Sequence, residues 1–277
     1  MPSVRFLLGV GAATMISTAA YAADLSLPPP AYQPAAPWGG GWYLRGDVGV
    51  GVQSFSSFDL GPPSGVPATW MINQQDIQDT TLLDFGIGYE LNNWFRFDVT
   101  GEYRTKGAFS AIGSYNQGTC TVGGVTGTCF DTFGGNFSAA VFMANAYIDL
   151  GTWWCLTPFV GAGVGGAYDR ISQVSDIGPL PPGTIGFGFT NNDSASWNLA
   201  WNVQAGLTYN VSNNLKIDFS WRYINLGSPQ SADIYCQNTG TTGACNFFNL
   251  RDISAEDFRI GLRFMLQPEP APIMTRG

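Results

Sequence analysis

Charged side chains alternate with apolar ones along several stretches of this chain, and carboxylates are interspersed with cations inside the same stretches. A pair of carboxylates such as Asp47 and Asp98 could act as a general acid and base. The sequence contains no histidine, which excludes a His-dependent triad, a zinc site built on histidine and a haem axial histidine. Because no carboxylate pair stands apart from the neighbouring cations, we predict a network of ion pairs without catalysis, metal or cofactor.

The predicted network consists of the charged residues on the polar side of the alternation: Arg45, Asp47, Asp84, Glu90, Arg96, Asp98, Glu102, Arg104, Asp149, Asp169, Lys216, Asp218, Arg222, Arg259 and Arg263. Buried charges are tolerated only when partners of opposite sign are close. We expect three cations to pair with nearby carboxylates: Arg96, Arg222 and Arg259 with residues such as Asp98, Asp218 or Glu102. An ion path is the alternative to this paired filling.

The elements that must position these charges are β-strands, because a period of two places alternate side chains on opposite faces of a sheet. In one segment Leu215, Ile217 and Phe219 oppose Lys216 and Asp218. Eight segments show this pattern, at 41–52, 83–91, 95–104, 137–150, 157–169, 197–210, 215–223 and 257–264. The connections between them alternate long and short: 53–78, 92–93, 106–136, 151–156, 170–196, 211–214 and 224–256.

This pattern predicts an all-β protein, an eight-stranded antiparallel up-and-down transmembrane barrel with short periplasmic turns and long extracellular loops. A soluble lipocalin-like barrel or sandwich, with its apolar face inward, is the alternative. Aromatic residues near the strand ends favour the membrane barrel, because such rings form girdles where lipid meets water. The girdle candidates are Trp94, Trp153, Trp154, Trp197, Tyr209, Trp221 and Tyr223.

The beginning of the chain resembles an export signal: Arg5 precedes an apolar run from Phe6 to Ile16, and Ala20-Tyr21-Ala22 follows. We predict a signal peptide over 1–22, a Pro-rich periplasmic tether over 23–38, the barrel over 39–266 and a Pro-rich tail over 267–277. The whole chain carries 12 Lys and Arg against 20 Asp and Glu. Nucleic acid is therefore not an expected partner.

Five cysteines in an exported chain suggest disulfides. We predict two bridges within loops, Cys120 with Cys129 and Cys236 with Cys245, although spacing alone does not prove the connectivity. The fifth, Cys155, lies in a predicted short turn, where we expect a buried structural thiol.

The run Gly161-Ala162-Gly163-Val164-Gly165-Gly166 matches the dinucleotide-binding pattern G-x-G-x-x-G. That pattern binds phosphate only where a strand ends and a helix begins. Here the alternation continues through the glycines, so we interpret them as making room in a narrow interior.

Several stretches are similar to alphaproteobacterial outer-membrane proteins of the OmpA/opacity-like superfamily, often labelled the porin family. They are Trp42-Tyr43, MANAYIDLG (143–151), TPFVGAGVG (157–165), NLAWNVQAGLTYNVSNNLKIDFSWRYINLG (198–227) and FRIGLRF (258–264). The resemblance covers about the whole chain after the signal, and 198–227 is its most specific part. It implies an eight-stranded barrel with a packed polar interior that contributes to envelope integrity. The chain departs from the family in continuing for eleven residues beyond Leu266.

The leading functional prediction is a structural protein of the outer membrane of a Gram-negative bacterium, with a closed, salt-bridged lumen. A small diffusion porin is one alternative, and a surface adhesin or ligand-binding protein that acts through its long loops is another. The expected partners are outer-membrane lipid, lipopolysaccharide and, during insertion, the barrel-assembly machinery. A surface ligand remains unknown.

Overall fold

A computed structural model describes residues 41–61, 70–122, 124–180, 184–237 and 244–266. The chain divides into two units, residues 1–36 and 37–277, and all described residues belong to the second. The predicted signal peptide (1–22), tether (23–38) and C-terminal tail (267–277) lie outside the described residues, which all belong to the predicted barrel (39–266). In the described part, no helix is long and apolar enough to cross a membrane.

The described residues form thirteen β-strands: β1 (Trp42–Ser54), β2 (Ser57–Gly61), β3 (Trp70–Ile77), β4 (Thr80–Glu90), β5 (Phe95–Val122), β6 (Val125–Asp149), β7 (Leu156–Leu180), β8 (Thr184–Thr190), β9 (Ser194–Asn210), β10 (Leu215–Gly227), β11 (Ile234–Gln237), β12 (Ala244–Arg251) and β13 (Ile253–Met265). Eight of them close into an antiparallel ring in the order β1, β4, β5, β6, β7, β9, β10 and β13, and β13 pairs with β1. The predicted all-β barrel with eight ring strands is confirmed.

The alternation in the sequence separates an apolar outer face from a polar inner one. On β1, Arg45 and Asp47 are buried inside the ring, whereas Leu44, Val48 and Val50 are exposed on its outside. A soluble barrel has the opposite polarity, so the outer face of this ring is suited to lipid.

Aromatic residues mark two levels on the outer face. Tyr168 pairs with Trp197 at one level, and Leu156 pairs with Tyr209 at the other. Twelve residues of β9 separate the levels; at about 3.3 Å per residue and a tilt of about 40°, this is about 30 Å. That distance matches the hydrocarbon thickness of a bilayer.

The three short connections lie at one end of the ring, here called the proximal end. In the first, Asn92 Oδ1 accepts hydrogen bonds from the backbone N–H groups of Trp94 and Phe95, at 3.0 and 2.8 Å. In another, Ser212 Oγ accepts one from the N–H of Leu215 at 3.1 Å. Both chain segments that enter and leave the ring meet here, because the Leu266 N–H donates to the Trp42 carbonyl at 2.8 Å. Side chains that bond to their own turns therefore set these connections.

The long connections, which the sequence predicts as loops, contain further strands. Strands β5 and β6 continue as one hairpin through the predicted loop 106–136 and pair as far as Val122 and Val125. Strands β2, β3, β8, β11 and β12 also form from the predicted loops. Three ring strands also continue past the ring, with residues 105–122 of β5, 125–137 of β6 and 170–180 of β7. These parts and the five additional strands form what we call the distal extension.

An apolar core explains why the distal extension is ordered as strands. Phe58 stacks on Phe248 with ring centroids 4.5 Å apart, and Phe133 and Phe109 contact the same pair at 5.0 and 5.6 Å. All four side chains are buried. Burial of each ring contributes roughly 2 to 3 kcal/mol, which stabilises strands whose sequence lacks a clear alternation.

The barrel interior as the candidate functional site

The interior nearest the proximal end contains a first layer of ion pairs. The Arg263 guanidinium lies 2.7 Å from the Glu90 carboxylate and 3.1 Å from Asp218. The Lys216 ammonium lies 2.9 Å from Glu90. Arg96 pairs with Asp149 at 3.2 Å. Strands β4, β5, β6, β10 and β13 thus contribute to a single layer that joins opposite walls of the ring.

A second layer is centred on Arg45. Its guanidinium contacts Asp47 at 2.7 Å and Asp98 at 2.8 Å, and donates to the Tyr147 hydroxyl at 2.8 Å. Asp98 also accepts hydrogen bonds from Asn145 Nδ2 at 2.9 Å and from the Tyr43 hydroxyl at 3.1 Å. Each charge in this layer is therefore met by an opposite charge or by a polar side chain.

Amide side chains link the second layer across the lumen. Asn202 donates to Asn145 at 2.9 Å, and Gln204 donates to Asn202 at 3.2 Å. Arg259 donates to Gln204 and lies 3.5 Å from Asp84.

The third layer is a buried square of two cations and two carboxylates. Arg104 and Arg222 each contact both Glu102 and Asp257. The Arg104–Glu102 pair is 2.7 Å long, and Arg222 Nε donates to Asp257 at 2.8 Å. Because the charges are fully removed from solvent, each pair is stable only while both partners are present.

The glycines of the G-x-G-x-x-G run make room for large interior side chains. A Cβ on Gly161 would lie 2.6 Å from the ring of Tyr147. The Arg96 guanidinium sits 3.9 Å from that ring centroid and 4.7 Å from that of Phe159, positions that favour cation–π attraction. Strand β7 runs unbroken through the glycines, so the strand-to-helix junction of a phosphate-binding loop is missing here.

A polar vestibule opens at the proximal end, with a cavity volume of about 330 Å³. Carboxylates, cations, amides and hydroxyls line it: Glu90, Asn92, Asn93, Asp149, Thr152, Thr157, Thr208, Asn210, Ser212, Asn213, Lys216, Arg263 and Met265. Above it the three charged layers fill the ring, and the apolar core of the distal extension follows. Among the described residues, no group of three or more potential His, Cys, Asp or Glu metal ligands occurs.

The expected pairings differ in detail from those in the structure. Arg222 contacts Glu102, one of the carboxylates proposed for it. Arg96 instead contacts Asp149 on the neighbouring strand β6. Arg259 contacts Asp84 on β4, because ring curvature brings these two side chains together across β1. Asp169 does not extend the layers as expected: it accepts a hydrogen bond from Asn198 at 2.8 Å.

The predicted charge network leaves out several interior residues that take part in it, namely Asp257, Tyr43, Tyr147, Asn145, Asn202 and Gln204. Their position in the alternation was the available signal, since each falls on the same face of its strand as a predicted lumen charge.

The expectation that Cys155 is buried is wrong. It is free and exposed at the proximal end. Trp154 and Cys155 adopt positive φ values of 50° and 68°, and this tight turn directs the thiol away from the ring. Cys129 and Cys236 each belong to a disulfide, and the side chains of Cys120 and Cys245 lie outside the described residues. The predicted pairing therefore stays a prediction.

Two carboxylates in the distal extension are perturbed by burial. Burial raises the pKa of Asp131 to about 6. Burial also raises the pKa of Asp176 to about 7, and the negative charge of Asp131 adds to this shift, while a hydrogen bond from Asn246 opposes it. Both residues lie on β6 and β7 beyond the aromatic level at Tyr168, outside the segment suited to lipid.

A closed ring with an apolar outside and a charged, packed inside defines a membrane-spanning β-barrel. The family model described as "Outer membrane protein beta-barrel domain" matches residues 8–262. The chain belongs to this family, and its location is the outer membrane of a Gram-negative bacterium. The proximal turns accordingly face the periplasm, and the distal extension lies outside the cell.

Relatives of this chain include proteins of two further bacteria. An uncharacterized protein of Brucella abortus is 29% identical over 280 residues, which cover 92% of this chain and 95% of that protein. A putative adhesin of Rickettsia felis is 24% identical over 237 residues, covering 83% of this chain and 90% of the relative. Among solved structures, the outer membrane protein OprG from Pseudomonas aeruginosa superposes with a TM-score of 0.45 at 12% identity, covering 81% of this chain and 96% of that one.

Proposed function

We propose that this protein is a structural, non-catalytic outer-membrane barrel whose lumen is closed to solutes. The observation that carries the proposal is the continuous filling of the interior, with three layers of ion pairs followed by an apolar core. An eight-stranded ring is only wide enough for its own side chains. The proposal includes lipid and lipopolysaccharide as the surroundings of the outer face, and the assembly machinery as the partner during insertion.

The energetics of the third layer oppose a diffusion pore. A water path through it requires Arg104 and Arg222 to leave Glu102 and Asp257. Removal of one partner from a buried ion pair costs about 3 to 5 kcal/mol, so a spontaneous opening of comparable cost would be populated less than about one per cent of the time. Beyond this layer a path would also have to pass the packed rings of Phe58 and Phe248.

Planar-bilayer recording tests the closed lumen. The purified full chain should give no steady unitary conductance. A variant that removes one cation from each layer (Arg263→Ala, Arg45→Ala and Arg222→Ala) together with Phe248→Ala opens every level of the filling, and it should conduct. Val99→Ala, which changes only the outer face, serves as the matched control. Large, uniform channels from the unaltered chain would overturn the proposal and support a porin.

A second candidate function is binding of a surface ligand through the distal extension. A rigid extension of paired strands, held by a buried aromatic core, favours this function because it can present a surface without ordering a loop. The putative adhesin of Rickettsia felis among the relatives is consistent with it.

The tip of the β5–β6 hairpin offers a clean test of surface binding. Gly113 pairs with Asp131, so residues 114–130 can be replaced by a two-residue turn that leaves the lower hairpin paired. Cells that produce this variant should bind host cells less than cells that produce the native chain, while the heat-modifiable electrophoretic mobility of the barrel stays unchanged. That result would support the binding function. Unchanged binding would exclude the tip of the hairpin as the binding surface.

A further inference from the structure

The outer side of the distal extension carries a cluster of exposed apolar residues, which we call the lateral patch. It consists of Phe130, Ile177, Ile185, Phe187, Phe189 and Tyr235. Ile177 pairs with Phe187 across β7 and β8, and Phe189 pairs with Tyr235 across β8 and β11. Direct cross-strand partners lie on the same side of a sheet, so the patch is one continuous surface over four strands.

Lipid does not cover this patch, because a polar collar separates it from the outer face below. The collar contains the exposed ion pair of Arg170 with Asp193 and the hydrogen bond from Asn136 to Gln173, 2.7 Å long. Ile177 lies nine residues beyond Tyr168 along β7. With a rise of about 3.3 Å per residue and a tilt of about 40°, the patch stands roughly 20 Å above the distal aromatic level.

The size of the patch points to a partner. Ile185 is 60% exposed and Ile177 51% exposed, and the aromatic members are about two-fifths exposed. Six such side chains present on the order of 500 Å² of apolar surface, which is at the upper end of what isolated proteins expose and marks interaction sites.

We propose that the lateral patch docks against the same patch of a second copy of this chain in the same membrane. The patch faces sideways from the barrel axis, and two barrels inserted in one membrane hold it at the same height. A two-fold axis along the membrane normal then brings the two patches face to face as a self-complementary interface. This inference rests on the outer-membrane location and is independent of whether the lumen conducts.

The area is consistent with a dimer that depends on the membrane. Two patches bury about 1,000 Å² together, the lower limit for a specific interface. Such a contact is weak between molecules in solution, but confinement to one plane with one orientation raises the effective concentration of the partner. Lipopolysaccharide sugars are less suited to the patch, because sugar recognition needs several hydrogen-bonding side chains and its described members offer the Tyr235 hydroxyl alone.

Cross-linking of the full chain in native outer membranes tests the dimer. Phe187→Cys, made together with Cys155→Ser, should yield dimers with a bis-maleimide. Met71→Cys in the same background is the matched control: Met71 is 53% exposed and aligns through Ser114 with Phe130 at the edge of the patch. It lies on β3, four strands from Phe187 on β8. The patch variant should cross-link several-fold more, and Ile177→Glu in the same chain should abolish the difference.

A second measurement leaves the patch unaltered. The native chain, labelled at its exposed Cys155 and counted by photobleaching in lipid vesicles, should show two-step traces, and the Ile177→Glu chain should show single steps. Single steps from the native chain at every lipid-to-protein ratio would overturn the proposal. So would equal cross-linking at Met71→Cys, or shielding of Phe187→Cys from maleimide only when lipopolysaccharide is present.

Discussion

Arg222 donates to Asp257 on the neighbouring strand β13 and to Glu102 across the lumen on β5, and both carboxylates are buried. Arg222→Leu should lower the free energy of unfolding by about 3 to 5 kcal/mol, because two buried negative charges lose one of their two shared cations and only Arg104 remains to balance them. Urea unfolding in lipid vesicles measures this change. The double variant Arg222→Leu with Asp257→Asn should recover part of the loss. A single variant as stable as the native chain would show that the square is hydrated.

Asp176 gives the distal extension a dependence on pH. Burial raises its pKa from 3.8 to about 7, so the folded extension keeps a proton that the unfolded chain releases near pH 4. The stabilisation is complete below about pH 4 and is lost as the pH rises through about 7. Protease resistance of the extension should therefore be higher at pH 5 than at pH 8.

Asp176→Asn should weaken the pH dependence of that resistance, because the amide stays neutral at both values. The part that remains comes from Asp131, whose pKa burial raises to about 6. Asp76→Asn, which removes an exposed carboxylate of β3, is the control and should leave the pH dependence in place. The same slope in both variants would show that another group is responsible.

At the residue scale, the sequence predicts which side chains face the lumen but not which of them pair. The face of each charge follows from its position in the alternation, as for Arg45 and Asp47. Pairing depends on how far each strand is shifted against the others around the ring. Arg259 on β13 meets Asp84 on β4 with β1 between them, a contact that no local pattern encodes.

The β5–β6 hairpin places two cysteines close together near its tip. Cys120 pairs in register with Gly127, so Cys129 lies two residues further along the neighbouring strand. Non-reducing peptide mapping should recover Cys120 joined to Cys129, and Cys236 joined to Cys245. Each bridge closes a loop of about ten residues and should contribute on the order of 2 to 3 kcal/mol of local order. Bridges crossed between the two hairpins would contradict this pairing.

Reduction of the predicted disulfides should disorder only the tips of the hairpins in the distal extension. Each cysteine pair lies in the distal extension, so the heat-modifiable mobility of the barrel should be unchanged after treatment with a thiol. The exposed Cys155 provides an internal reference in the same experiment, since it should react with maleimide before and after reduction.

At the element scale, the ring strands could be predicted and the distal extension could not. The rule that the apolar face points outward holds where lipid surrounds the strand, as for Val99 and Ile260. Beyond the third layer the interior becomes apolar, and residues such as Phe133, Phe137 and Val141 point inward. The opposite face of β6 there carries polar residues such as Asn136 of the collar, so the apolar side chains change from the outer face to the inner one. The extension also depends on pairings between strands distant in sequence, such as β2 with β12.

The molecule as a whole presents an apolar band to lipid, and a charge placed within this band should lower the stability of the folded barrel. Ile260 is exposed on the outer face of β13, and Ile260→Arg should destabilise the folded barrel by about 2 to 4 kcal/mol near the bilayer midplane. Unfolding in vesicles of defined lipid measures this cost. Gln173→Arg, which adds the same charge in the collar, should change stability little. Equal costs at both positions would argue against a membrane boundary between them.

The change of the outer face from aromatic to charged, between Tyr168 and Arg170 on one strand, also determines how deep the barrel sits. If the barrel sank into the membrane by two residues, which is about 5 Å along the membrane normal for a tilted strand, the Arg170–Asp193 pair would enter the hydrocarbon. Rising by the same amount would lift the upper aromatic residues out of the lipid boundary and expose apolar side chains to water. The vertical position of the barrel is therefore fixed by its own sequence, and every surface of the distal extension is displayed at a constant height above the cell.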